Sequence, residues 1–345
     1  MTGPGEPLRP PEPAELAGDL PALPEDLARV DVALRESVQT SDPFLAEVAT
    51  HLIGAGGKRL RPTLTLVSAY ASTAEAGTAD DAATDRALTG AVACELVHLG
   101  SLYHDDVIDE AETRRGAPSV NARWSNIVAI LAGDFLLARA SSLAASLGAD
   151  VASLLAATIG ELCRGQVLEL QHLFDVDRSE EDYSSAIEGK TAALFATSCR
   201  IGGMVSGVGD PSLDALTRFG RHLGMCFQIV DDVLDLSSTD DALGKHAGQD
   251  LLEGIYTLPV IHALRESGEL RDLLGGPLDH AQLEAARSLV CGPLAAGSTA
   301  VEVALGVARD HAVKARDALD GADGLDPDVS RTLGRLVDGL VTRER

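Results

Sequence analysis

Aromatic side chains are scarce in this chain of 345 residues: one Trp, four Tyr and six Phe make up 3%. A sequence poor in aromatics and dominated by Ala and Leu favours helices over sheets. Positive charge is scarce too, with 28 Lys and Arg against 53 Asp and Glu and a net charge of −25. That argues against nucleic acid as a partner, because phosphate backbones need a basic surface. An anionic small molecule stays open if metal ions and a few local cations receive it. The five cysteines, Cys94, Cys163, Cys199, Cys226 and Cys291, form no CxxC pair and are odd in number. They read as reduced thiols in a cytoplasmic protein, with no zinc or disulfide role. Long uncharged runs are missing: the longest, Ser288 to Val301, has 14 residues and contains Gly and Pro. No transmembrane segment is expected, and the N-terminus shows no signal peptide.

Residues 1–24 are rich in Pro and Gly (PGEPLRPPEP) and read as a flexible lead-in. A helical pattern opens near Glu25, with Leu27, Val30 and Leu34 at helical spacing. The glycine-rich break at Ile53 to Gly57 is followed by Lys58, Arg59 and Arg61. Two readings stand: a turn whose backbone and cations receive an anion, or a basic turn before a helix started by Pro62. Further helices are expected over Thr63–Thr73, Arg86–Glu110, Trp124–Leu147, Val151–Phe174, Ile187–Cys199, Leu213–Leu236 and Leu258–Leu264. Asp177 to Tyr183 reads as a polar turn, Ser237 to Asp250 as a loop carrying Lys245, and the tail from Asp279 as broken helices. No strand pattern stands out.

What the chain does have is acidic residues in unusual company. Leu96 to Arg115 reads LVHLGSLYHDDVIDEAETRR. On a helix, Asp105 and Asp109 share one face, with His98 two turns earlier on nearly the same face. Carboxylates this close repel by about 1 kcal/mol per pair in water and more at lower dielectric. The DDxxD spacing recurs at Asp231 to Asp235, again among apolar residues, with Gln228, Asp231 and Asp235 on one face. One such cluster is readily a solvated helix end. Two, facing each other across a cavity, would form an oxygen-only site suited to Mg²⁺, which shares its shell with substrate phosphates. Lys58, Arg61, Arg114, Arg115, Lys190 and Lys245 could hold the charge that metal leaves over. Together these features suggest a diphosphate head on an apolar tail.

The segments GGKRLRP (Gly56–Pro62), LVHLGSLYHDDVIDEAETRRGAPSVN (Leu96–Asn121), GKTAALF (Gly189–Phe195) and FQIVDDVLD (Phe227–Asp235) resemble the trans-isoprenyl diphosphate synthase family. The resemblance runs over roughly residues 25–345, with the motifs in family order. It implies an all-α, single-domain helical bundle around a deep central cavity, and a homodimer, for which the Ile127 to Leu147 helix is the candidate face. Asp105 and Asp109 then match the motif binding two Mg²⁺ on the allylic diphosphate. Asp231, with Asp235 through water, matches the motif holding a third. Lys58, Arg61, His98 and Arg115 match the isopentenyl diphosphate pocket, and Arg114, Lys190 and Lys245 the grip on the allylic diphosphate. Thr191 and Gln228 sit where the family places oxygen dipoles beside the developing cation, so Lys190, Thr191 and Gln228 are the catalytic candidates.

The implied reaction is a Mg²⁺-dependent head-to-tail condensation of isopentenyl diphosphate with an allylic diphosphate, the leaving diphosphate serving as base. One position departs from the family: where DxxxGKxTLP is usual, Asp250 to Pro259 reads DLLEGIYTLP, and Ile255 replaces a lysine that would contact diphosphate. Weaker allylic binding or compensation by another residue is expected. Gly100 and Ser101, five and four before the first motif, are small where bulky residues would stop the growing chain. The expected product is therefore longer than geranylgeranyl, in the heptaprenyl to nonaprenyl range of quinone side chains, with geranylgeranyl diphosphate the alternative. A non-catalytic partner subunit would be expected to lose an acidic motif, and a terpene cyclase to lack GGKRLRP; both features are intact.

Overall fold

Leu27, Val30 and Leu34 are buried along one side of the first helix, α1 (Leu23–Ser37), as their spacing requires. A computed structural model describes residues 19–71, 81–237, 247–295, 297–320, 322 and 324–341, with backbone alone for 81–84. Most of the expected N-terminal lead-in and Lys245 lie outside the described residues. The helix begins at Leu23, and Asp19 before it pairs with Arg335 at 2.5 Å.

Helices α2 (Pro43–Gly54) and α3 (Leu60–Tyr70) lead to the long α4 (Asp81–Ile108), which ends on the first acidic cluster. A hairpin of two-residue strands, Thr113–Arg114 against Ala117–Pro118, follows; it is too short for an alternating pattern to betray it. Then come α5 (Val120–Arg123), α6 (Asn126–Leu147), α7 (Ala149–Gln171) and α8 (Glu180–Ile187). A π-helical turn (Glu188–Ala192) joins α8 to α9 (Ala193–Ser206), so the helix expected over Ile187–Cys199 opens with a widened turn, and the polar turn expected over Asp177–Tyr183 is helical from Glu180. Helix α10 (Asp210–Ser237) carries the second cluster. Shorter helices α11 (Gln249–Glu253), α12 (Leu258–Leu264), α13 (Gly268–Leu273) and α14 (His280–Cys291) precede α15 (Ala300–Asp320) and α16 (Pro327–Val341).

The main core joins α1 to α10 with α15 and α16; a second cluster gathers Leu251, Tyr256, Leu264, Leu283 and Val290. Helix α4 packs along α6, α3 along α9, and α10 along α15. The α4–α6 crossing is close enough to require small residues: a Cβ on Gly100 would lie 3.1 Å from the Gly133 carbonyl oxygen and from Leu137. By length and composition, α6 and α7 are apolar enough to cross a membrane, although charged residues interrupt both. Helix α6 nonetheless buries Ala129, Ala132, Leu136 and Ala140 in the core and carries Asp134 and Arg139.

Candidate active site

The last two turns of α4 and the residue that follows them present Ser101, Leu102, Asp105 and Asp109 to a cavity of about 940 Å³. Burial pushes the Asp105 carboxyl up to about 6, with Asp109 adding to the effect and Lys190 opposing it. Burial raises Asp109 as well. Asp106 turns away, wholly buried, and accepts from Arg114 Nε at 2.7 Å and Nη2 at 2.6 Å. The hairpin thus holds Arg114 at the cavity wall.

Helix α10 supplies Phe227, Gln228, Asp231 and Asp232 to the same cavity. Asp232 is buried and accepts from Tyr183 Oη at 2.7 Å and Gln228 Nε2 at 2.8 Å. Burial holds its carboxyl above the usual range, against the lowering effect of both hydrogen bonds. Thr191 Oγ1 donates to Gln228 Oε1 at 2.6 Å, so the Gln228 amide is held from both ends. Asp235 does not reach the cavity lining; it is buried one turn on and accepts from the Asp250 backbone at 3.2 Å.

The π turn brings Lys190 and Thr191 to the third wall. It touches α7 at two glycines: a Cβ on Gly165 would sit 2.3 Å from the Lys190 backbone nitrogen, and one on Gly189 would meet Gly165. Lys190 Nζ reaches Glu169 Oε1 at 2.5 Å. Burial works against its charge, but Glu169 and Asp105 outweigh that and hold the amine above its ordinary value.

Arg61 and His98 line the opposite side. Arg61 lies over the Phe195 ring at 5.0 Å, its Nε buried without a partner, and burial lowers its pKa to about 10. His98 is held well below the ordinary histidine range by burial and then by Arg61 and Arg115, so it is neutral at pH 7.

The structure therefore gathers Arg61, His98, Ser101, Asp105, Asp109, Arg114, Lys190, Thr191, Gln228 and Asp231 around one space. Lys58 is exposed and outside the lining, and Arg115 donates to the Gly56 carbonyl. Gly100 faces α6, not the cavity, which leaves Ser101 as the member of the pair that borders it. Spacing does not mark Glu169, Arg178 or Tyr183, because their partners Lys190, the Tyr256 carbonyl and Asp232 lie far away in sequence. Asp106 was overlooked for another reason, since DDxxD spacing alone does not tell which adjacent aspartate faces inward.

The carboxylate set is all oxygen and suits a hard cation. Among the described residues no three acidic, His or Cys side chains are close enough to cage a metal alone. Mg²⁺ takes one or two carboxylates and completes its shell with water and phosphate oxygens.

A polyprenyl synthetase family model matches residues 42–290. The chain is 41% identical to nonaprenyl diphosphate synthase of Mycobacterium tuberculosis over 93% of each chain. It is 44% identical to heptaprenyl diphosphate synthase component 2 of Geobacillus stearothermophilus, covering 71% of this chain and 74% of that one. Its fold superposes on a polyprenyl synthase from Caulobacter crescentus, solved with calcium and isoprenyl diphosphate, with a TM-score of 0.85, 32% identity and coverage of 97% and 100%. Twin acidic clusters on one helical cavity, a family match across most of the chain and full-length relatives converge: this chain belongs to the polyprenyl synthetase family.

Proposed function

We propose that this protein is a long-chain all-trans polyprenyl diphosphate synthase, a prenyltransferase that condenses isopentenyl diphosphate head to tail with an allylic diphosphate. The observation that carries the reading is the cavity itself. Asp105, Asp109 and Asp231 share it with Arg61, Arg114 and Lys190, and its lining continues through Leu102, Leu162, Leu194 and Phe227. Polar chemistry at one part and apolar wall at another suit a diphosphate head with a growing hydrocarbon tail.

Asp105, Asp109 and Asp231, with Asp235 behind them, would hold Mg²⁺. When bound, Mg²⁺ neutralises charge on a departing diphosphate. Lys190 and Arg114 grip the allylic diphosphate as fixed cations already in place before charge develops; Lys245, outside the described residues, is assigned to the same grip by the family resemblance alone. Arg61 and His98, with Lys58 and Arg115 nearer the glycine-rich turn, hold isopentenyl diphosphate; a neutral His98 donates a hydrogen bond and positions. Thr191 and Gln228 offer oxygen dipoles to the allylic carbon as it becomes positive. The isopentenyl double bond, held beside that carbon, forms the new carbon–carbon bond. The proton then lost passes to the departed diphosphate, and the pair of electrons left restores a double bond.

Small Ser101 beside the first cluster, together with the heptaprenyl and nonaprenyl names of the relatives, supports the long product. Ile127, Ile130 and Leu131 expose 70%, 43% and 60% of their surface on one face of α6, which supports a homodimer across that face. A monomeric mass by light scattering would remove that reading. The five unpaired cysteines fit a cytoplasmic setting.

The test is incubation of purified protein with Mg²⁺, farnesyl diphosphate and radiolabelled isopentenyl diphosphate, followed by sizing of the products. Heptaprenyl to nonaprenyl products are expected. A dominant geranylgeranyl product would overturn the long-chain assignment, and no consumption of isopentenyl diphosphate would overturn prenyl transfer.

A further inference from the structure

Arg178 lies in the turn between α7 and α8 and is only 4% exposed, yet it lines the cavity. Its guanidinium stands over the Tyr183 ring at 5.6 Å, and Nη1 donates to the Tyr256 carbonyl oxygen at 3.1 Å. Nε and Nη2 are buried with no hydrogen-bond partner. Next to Tyr256, Thr257 is 3% exposed, lines the same cavity, and its Oγ1 is also buried without a partner. Ile255, on the other side of Tyr256 in sequence, also lines the cavity and carries no charge.

Leaving a buried donor unpaired is costly, and more so when the group is charged. A guanidinium fork beside a hydroxyl is matched by an anion with several oxygens. The Tyr183 ring under Arg178 carries the hydroxyl that donates to Asp232, which adjoins Asp231, and Glu169, the partner of Lys190, is the largest acidic influence on Arg178. Arg178 thus belongs to the Lys190 and α10 side of the cavity.

Taking the prenyl-transfer reading as given, we propose that Arg178, assisted by Thr257 Oγ1, is a further binding residue for the allylic diphosphate. It supplies the positive charge that Ile255 does not. Its Nε and Nη2 donate to phosphate oxygens, while the Tyr256 carbonyl and the Tyr183 ring hold the fork in place.

The experiment measures initial rates against each substrate separately, and Mg²⁺-dependent binding of inorganic pyrophosphate by calorimetry, for the wild type, Arg178→Met, Arg178→Lys, Thr257→Val and the double variant R178M/I255K. Arg178→Met should raise the allylic KM and weaken pyrophosphate binding by about tenfold or more, as loss of a charge-assisted hydrogen bond implies. The KM for isopentenyl diphosphate should stay within about twofold of wild type. R178M/I255K should recover most of the loss, because a lysine at position 255 restores a cation to the same wall. An arginine that served packing alone would give no such rescue. Should Arg178→Met fail to fold, Arg178→Lys and Thr257→Val carry the test, each with an allylic KM raised about threefold or more. An active wild type whose folded variants keep the allylic KM and pyrophosphate affinity, or raise both substrates' KM alike, overturns the role of Arg178. A wild type that binds pyrophosphate but consumes no isopentenyl diphosphate overturns prenyl transfer instead.

Discussion

Aligned on Asp105 and Asp231, helices α4 and α10 repeat an acidic spacing but differ in what surrounds it. Seven residues earlier, α4 has His98 at the cavity, whereas α10 has Gly224, where a Cβ would lie 2.6 Å from the Ala192 Cα. Four residues earlier stand Ser101 and Phe227, the second packed on Phe195 at 5.3 Å between ring centres. The aspartate after the first is buried in both clusters, but Asp106 holds a hairpin arginine while Asp232 holds a tyrosine hydroxyl and an amide. Asp109 lines the cavity; Asp235 is buried behind it on a backbone amide. One cluster is therefore set at an opening with small neighbours, and the other is braced from behind. Identical spacing does not give identical duty, because the packing around each helix decides which carboxylates remain available.

The comparison is broken most directly at the aspartates that lead each motif. Asp105→Ala and Asp231→Ala should each lower kcat by about 10²- to 10³-fold, the range for removing one stabiliser of developing charge. Steady-state rates with radiolabelled isopentenyl diphosphate read this. A large loss in one variant and none in the other would end the idea of a paired site. Product length should shift next: Ser101→Phe places a ring beside the first cluster, where α10 already has Phe227, and should move the dominant product to geranylgeranyl or shorter. Unchanged chromatograms would mean that the tail does not pass Ser101.

Smaller effects separate the two second aspartates. Asp232→Ala leaves the buried Tyr183 hydroxyl and the Gln228 amide without their acceptor and should destabilise by about 2 kcal/mol. Asp106→Ala releases Arg114, whose side chain is 30% exposed and can turn to water, so about 1 kcal/mol is expected. Urea midpoints would rank them; the reverse order would contradict the bracing described for α10. The smallest effect is in pH. The folded protein holds His98 below its unfolded value of about 6.5. Neutral His98 thus contributes stability above that pH and loses it as pH falls, since the unfolded chain binds the proton more readily. His98→Gln should flatten the fall in Tm below about pH 6.5. An unaltered slope would show that His98 is not the group responsible.

The parts of this arrangement visible in the sequence were those encoded locally. Helical spacing placed Leu27, Val30 and Leu34 inward and marked α12 over Leu258–Leu264. Asp105 could be grouped with Asp109, and Gln228 with Asp231, because spacing puts each pair on one helix face before any tertiary contact is known. The bond from Tyr183 to Asp232 joins residues 49 apart, and Lys190 to Glu169 spans 21, so neither follows from a helical period. Arg178 sat in a stretch that read as a polar turn, and only burial distinguishes it from a solvated arginine. Gly100 looked like an open floor because smallness has two uses, leaving room for a ligand and admitting another helix; here it admits α6.

The π turn at Glu188–Ala192 bears on what heredity can alter in this chain. It holds one residue more than an α-helical turn would, and each α-helical residue turns the axis by about 100°. Losing a single codon there would let the turn tighten and swing everything on one side relative to the other. Lys190 would leave Glu169, or Thr191 would leave Gln228, although no functional side chain had been replaced. Variants of this protein should therefore tolerate changes of length in surface connections far better than in this segment. A scan of single-residue deletions through positions 186 to 194 would find inactivity without unfolding.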